Sequence, residues 1–194
     1  MKNHSTQRGV LMAALMAALL AAPGLHAAEV GGIKLDDSVR VGNKELSLNG
    51  AGIRSRLFIK VYVGALYVSQ KSAMPNVLIE ATTPRRMSLR LLRDISAETL
   101  YGALEEGLAN NHSAAELAAL KPASTQFAAL MTGIGKLKEG DAISLDFSSE
   151  GLNVGLNGES RGKVASASFG KALLKVWLGD KPADASLKTA LLGS

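Results

Sequence analysis

The sequence predicts an α+β domain with helices on one face of an antiparallel sheet. Three observations carry this reading. Alternating strand patterns run from Ser38 to Arg93, helical periodicity with capping residues runs from Ser96 to Gly133, and further strands with one more helix close the chain. Strands and helices are segregated rather than alternating, which favours antiparallel pairing over repeated βαβ crossovers.

Ser38–Val41 and Lys44–Leu48 flank Gly42-Asn43, a pair that tolerates positive φ, so a tight hairpin is expected there. A glycine-marked corner follows at Asn49–Gly52, leading into one long alternating strand from about Ile53 to Val68. Fully extended it would span roughly 50 Å, beyond the common strand length, so a bend or break is expected near Gly64. Val77–Thr82 and Arg86–Arg93 read as two more strands. Ser96 caps a helix reaching about Asn110, with Leu100, Leu104 and Leu108 on one stripe. Ser113 to Glu116 is a capping box for a second helix, which Pro122 should kink or restart before it ends at Gly133. Strands at Asp141–Phe147, Gly151–Leu156 and Gly162–Ala165 follow, the last after an Asn157-Gly158 turn. A closing helix from about Ser166 turns Phe169, Leu173, Val176 and Trp177 inward and ends at Gly179.

The first residues have a different logic. Lys2 and Arg8 precede an apolar run from Val10 to Ala22, then Pro23-Gly24 and small residues to Ala28, the pattern of a secretory signal peptide. The run has about 13 residues, where a membrane span needs roughly 20. Residues 1–28 are therefore assigned to the signal peptide and 29–194 to one domain, with cleavage after Ala27 or Ala28. The mature chain is expected in the periplasm or secreted, with no stable membrane anchor after cleavage.

Removing Lys2 and Arg8 leaves 20 of the 22 basic residues against 17 acidic ones, a mature charge of about +3. That weak excess, without a dense basic run, argues against nucleic-acid binding. There are no cysteines, so stability rests on the core rather than on disulfides. His112 is the sole histidine left after cleavage, and it sits at a polar helix junction. No metal site of the His/Cys kind, no GxSxG elbow and no phosphate or dinucleotide loop is present, and no cofactor is expected.

The most informative stretch is Asn49–Val68, NGAGIRSRLFIKVYVGALYV. Its odd positions from Ser55 to Tyr67 are nearly all apolar, while Arg54, Arg56, Lys60 and Tyr62 share the even parity. On an unbroken strand Arg54 and Tyr62 project to one side, a face that can hold an anion. This stretch, together with LRLLRDISAETLYGALEEGL and FGKALLKVWLGDKPADASLKTALL, resembles the exported bacterial members of the chalcone isomerase-like superfamily across most of the mature chain. The resemblance implies an open-faced β-sandwich, a large antiparallel sheet backed by helices with the ligand cleft between them. It also implies a choice between enzymes that cyclise chalcones to flavanones, non-catalytic relatives, and proteins that bind fatty acids, which the fold alone does not make.

Residue by residue, the family's functional arginine follows the G-x-G corner and maps to Arg54. A guanidinium there suits either a phenolate or a carboxylate. Where the plant enzymes carry a threonine, this chain has Tyr62, as the fatty-acid-binding relatives do. The enzymes' helix tyrosine and asparagine map to Leu100 and Gly107, with Tyr101 one position off and about 100° round the helix. The implied ligand-binding set is Arg54, Tyr62 and Tyr101, with Arg56 and Lys60 left toward the strand ends and Trp177 read as packing. The leading expectation is a non-catalytic exported protein holding a fatty acid or similar amphipathic carboxylate. The alternatives are an isomerase of the chalcone-flavanone type, acting through Arg54 and Tyr62, and a partner-binding protein whose cleft its own side chains fill.

Overall fold

The computed structural model describes residues 28–193. The signal-peptide assignment falls outside them except for Ala28, which opens the first strand. Within the described residues the order is β1 Ala28–Val30, β2 Ile33–Leu35, β3 Ser38–Val41, β4 Lys44–Arg56, β5 Ile59–Val68, α1 Pro75–Glu80, β6 Arg85–Leu91, β7 Ile95–Ser96, α2 Ala97–Asn111, α3 Ala114–Ile134, β8 Lys136–Leu137, β9 Ala142–Ser148, β10 Gly151–Leu156, β11 Glu159–Val164, α4 Ala167–Leu178 and α5 Ala185–Leu191. Seven strands form one antiparallel sheet in the order β11-β10-β9-β6-β5-β4-β3, and β1-β2 and β7-β8 form two small ribbons.

Alternation divides the sheet into two unlike faces. Tyr62, Leu66, Met87, Leu89, Leu91, Ile143, Leu145, Phe147, Leu152 and Val154 point to one side and join the inward residues of α2, α3 and α4, among them Leu104, Phe127, Phe169, Leu173 and Trp177. The opposite face is covered only in part. Val63, Ala65 and Tyr67 meet Leu35 and Leu46 in a smaller cluster beneath the β1-β2 ribbon. Beyond it the strands show Arg86, Ser88, Arg90, Ser144, Asp146 and Asn153, with Arg86 and Asp146 paired bidentately at 2.5 and 2.7 Å. One dry face and one half-bare face make the sandwich open-faced, as the family resemblance implied.

The anticipated long strand is two strands. Arg56 and Ile59 pair across a two-residue turn, and Leu57 and Phe58 hold φ of 49° and 67°. Positive φ at both central residues marks a type I′ turn, a geometry that ordinarily selects Asn or Gly. The apolar side chains of Leu57 and Phe58 look like strand residues in sequence, which hid the turn; Gly64 lies inside β5 with no break. The expected corner at Asn49–Gly52 is likewise strand interior, with the register shifting between Leu48 and Gly50. Its glycines serve packing. A Cβ at Gly50 would stand 2.1 Å from the Ala190 carbonyl oxygen, and one at Gly52 would stand 2.7 Å from Ala190 Cβ, so both let α5 lie directly on β4.

Val77–Thr82 is not a strand either: it falls mainly in α1, where Pro75 occupies the first turn and supplies a preset helical φ. Pro122 sits inside α3 without ending it. The Ser96 and Ser113 caps form as expected, the latter as a full capping box. The helix α5 was not anticipated, although Asp184 as N-cap with Leu187 and Leu191 one turn apart is the signal that would have revealed it.

Candidate functional site

The β4-β5 hairpin brings Arg54 and Tyr62 directly opposite each other as cross-strand partners. They therefore share a face, but through antiparallel pairing and not through parity along one strand. A register shift between Arg54 and Ser55 follows at once, and beyond it Arg56 stands 4.0 Å from Glu106 of α2. Arg54, Arg56, Val61 and Tyr62 form one wall of a cleft of about 100 Å³. Thr99, Leu100, Ala103 and Leu104 of α2 form the other, and Ile95, Val176 and Ala183 close it. Leu100 thus faces the cleft, whereas Gly107 is used elsewhere: a Cβ there would lie 2.6 Å from Val176 Cγ1, so it sets the close approach of α2 to α4.

Tyr62 is almost fully buried at 4% exposure. Its Oη accepts a hydrogen bond from Trp177 Nε1 at 2.9 Å. Indole N–H is a donor only, so this contact leaves the Tyr62 hydroxyl proton available to an acceptor in the cleft. Burial pushes the Tyr62 pKa up to about 12, against smaller lowering effects from the Trp177 hydrogen bond and the Arg54 charge. Tyr62 is accordingly a neutral donor across the physiological range and not a phenolate base.

Arg54 is held from the α5 side. Its Nη1 lies 3.7 Å from Asp184 Oδ2 and donates to the Ser55 carbonyl oxygen. Asp184 has two further duties, accepting from Leu187 N at 3.0 Å as the α5 N-cap and from Ser55 N at 3.2 Å. A separation of 3.7 Å is an ion pair without a hydrogen bond, so Arg54 keeps donors for another oxyanion while Asp184 holds its position. Arg56 stands on the rim with 63% of its side chain exposed, its nearest acid being Glu106 at 4.0 Å.

Tyr101 does not join this group. It projects from α2 toward α3, where its ring meets Phe127 at 5.8 Å and its hydroxyl donates to Glu105 Oε1 at 3.2 Å. The one-residue offset along α2 is the reason: Leu100 takes the cleft-facing direction and Tyr101 the next. Trp177 is packing, as read from sequence, and is also the hydrogen-bond partner that fixes Tyr62. Asp184 is the site residue absent from the sequence expectation, and its signal there is the N-cap position it takes at α5. His112 ends α2 with Nδ1 2.9 Å from the Leu108 carbonyl oxygen, remote from the cleft walls.

A larger depression of about 480 Å³ lies on the bare face of the sheet, lined by Lys34, Arg40, Arg86, Arg90, Asp146, Glu159 and neighbouring polar residues. Its floor is set by satisfied pairs such as Arg86–Asp146, and it lacks the apolar wall that α2 gives the smaller cleft. The smaller cleft therefore has the composition of an amphiphile site: aliphatic walls with an arginine and a neutral phenol donor at one end.

A family model described as chalcone isomerase-like matches residues 27–193. Among solved structures, a fatty-acid binding protein of Arabidopsis thaliana matches with a TM-score of 0.66 and 19% identity, over 83% of this chain and 92% of that one. At that identity the likeness speaks for the fold. Comparison with curated proteins returns no match.

Proposed function

The chain belongs to the chalcone isomerase-like family over residues 27–193, and on that premise we propose that it is a non-catalytic exported protein binding a fatty acid or similar amphipathic carboxylate between the sheet and α2. The observation that carries the reading is the pairing of Arg54 with a Tyr62 hydroxyl whose acceptor side is already occupied by Trp177. A carboxylate placed there takes one charge-assisted bond from the guanidinium and one from the phenol, while the chain lies along Leu100 and Leu104. No histidine, aspartate or glutamate lines the cleft, and Tyr62 with its pKa near 12 holds its proton, which favours binding over proton-transfer chemistry. The Arabidopsis structure, a fatty-acid binding protein on the same fold, supports the same choice.

The cleft of about 100 Å³ is smaller than the roughly 300 Å³ at which small-molecule pockets begin, so on this reading α2 yields as the chain enters. The test is to delipidate the protein and titrate fatty acids of graded length. Affinity should rise by about 0.8 kcal/mol for each added methylene until the cleft is full. Arg54→Ala should weaken binding by about 1.5–3 kcal/mol through loss of the charged hydrogen bond. Binding that ignores chain length, or that is unchanged in Arg54→Ala, would refute the reading.

A further inference from the structure

The tip of the β4-β5 hairpin combines three properties, and of the residues that carry them only Arg56 also lines the cleft. Leu57 is 83% exposed, Phe58 fully exposed at 103% and Ile59 49% exposed, a continuous apolar point in water. The first two are also held at positive φ, a conformation costly for large side chains and free of that cost for the glycine or asparagine that usually fills such turns. Local stability therefore disfavours these side chains twice, in solvent and in backbone.

The third property is the collar. Arg56 and Lys60 flank the tip and are exposed. The Leu92 N–H donates to the Val61 carbonyl oxygen at 2.9 Å, which brings exposed Arg93 alongside the same end of the hairpin. Glu106 stands 4.0 Å from Arg56 and offsets part of its charge, while Asp94 is bound by Lys138 Nζ at 2.6 Å, so Lys60 and Arg93 have no ion-pair partner among the described residues. An apolar wedge ringed by cations is complementary to a bilayer surface, with acyl chains beneath and anionic phosphates around. It is poorly matched to a protein partner, since a two-residue turn offers a small part of the about 800 Å² per side that a stable interface buries.

We infer that this tip docks the protein on anionic lipid bilayers, Leu57 and Phe58 entering the headgroup boundary while Arg56, Lys60 and Arg93 meet the phosphates. The inference goes beyond the binding of a free carboxylate and stands without it, because the tip residues Leu57 and Phe58 do not line the cleft.

The test uses flotation of the mature chain with vesicles of equimolar phosphatidylglycerol and phosphatidylethanolamine, and with vesicles of phosphatidylcholine alone. The wild type should float with the anionic vesicles, and raised salt should release it by screening the collar. Leu57→Asn with Phe58→Gly places favourable residues in the same turn, so the chain should stay folded while its partitioning falls by about tenfold or more for the lost burial of each side chain. Lys60→Gln with Arg93→Gln should weaken anionic binding about fivefold for each charge and leave phosphatidylcholine binding unchanged. Failure of the wild type to float, or equal flotation of the Leu57→Asn/Phe58→Gly chain, overturns the inference. So does self-association in size-exclusion chromatography that the same double variant abolishes without any lipid binding, since the tip would then be a protein contact. Fatty-acid titration of that variant in the absence of vesicles keeps the two readings apart: lost flotation with retained fatty-acid binding is the expected result.

Discussion

Two hairpins in this molecule turn with the same geometry and opposite chemistry. The β10-β11 hairpin turns at Asn157-Gly158, with φ of 52° and 86°. Asn157 accepts from Ala142 N at 2.8 Å and donates to Asp141 Oδ1 at 2.9 Å, so this turn is stapled to the neighbouring strand. The β4-β5 hairpin turns at Leu57-Phe58, with similar φ and both side chains in solvent. One turn is built for stability. The other is tolerated because the strands behind it are locked by the Arg54–Tyr62 pair, the Trp177 hydrogen bond and the docking of α5. Strain concentrated in one turn, in a fold that has the unstrained solution elsewhere, is the contrast on which the proposed use of the tip rests.

The comparison is broken most sharply by exchanging the turns. Asn157→Leu with Gly158→Phe should destabilise the protein by about 3–4 kcal/mol, from two left-handed large residues and two lost hydrogen bonds. Since a Cβ at Gly158 meets nothing within 4 Å, the glycine's share of that loss is conformational and not steric. Chemical denaturation measures it; an unchanged midpoint would mean that the two turns do not differ in strain.

The strand behind the apolar turn also carries a titration signature, because burial pushes the Tyr62 pKa of β5 up to about 12. Below pH 10 both folded and unfolded tyrosine are protonated and nothing is lost. Between pH 10 and 12 the unfolded form ionises while the native form holds its proton, so stability falls as pH rises, by about 2–3 kcal/mol across the window. Tyr62→Phe removes this component. It also leaves Trp177 Nε1 without its acceptor, so the variant should start less stable at neutral pH yet decline less steeply above pH 10, as thermal melts across that range would reveal. Equal slopes in both chains would contradict the burial of an un-ionised phenol.

The smallest effect is the reciprocal turn exchange. Leu57→Asn with Phe58→Gly should stabilise the isolated protein by about 1–2 kcal/mol, the relief of strain being offset in part by the extra freedom glycine gives the unfolded chain. A gain in melting temperature coupled to a loss of vesicle binding would confirm that the tip trades stability for contact.

Much of the fold was legible because its signals are local. The Gly42-Asn43 and Asn157-Gly158 turns, the Ser96 and Ser113 caps, and the stripe of α4 each depend on a few adjacent residues, and each formed where the pattern placed it. The Leu57-Phe58 turn is illegible for the converse reason: its residues are apolar like the strands on either side, and the reversal shows only in the pairing of β4 with β5. Tyr101 lies one position from the cleft-facing Leu100, since helix phase is fixed by packing against Phe127 and Val176 and not by residue type.

By itself the sequence determined the α+β class and the segregation of strands from helices, which follow from periodicity and capping acting over a few neighbours. Periodicity left Arg54, Arg56, Lys60 and Tyr62 together on one parity, and only the family resemblance singled out Arg54 and Tyr62 as the pair suited to an oxyanion. Tertiary structure decided that the pair meets across a hairpin, that Trp177 orients the phenol, that Asp184 restrains the guanidinium, and that Leu57 and Phe58 stand in solvent. Each of these joins elements distant in the chain or, for the exposed tip, depends on where the chain reverses, and so none is written in a local pattern.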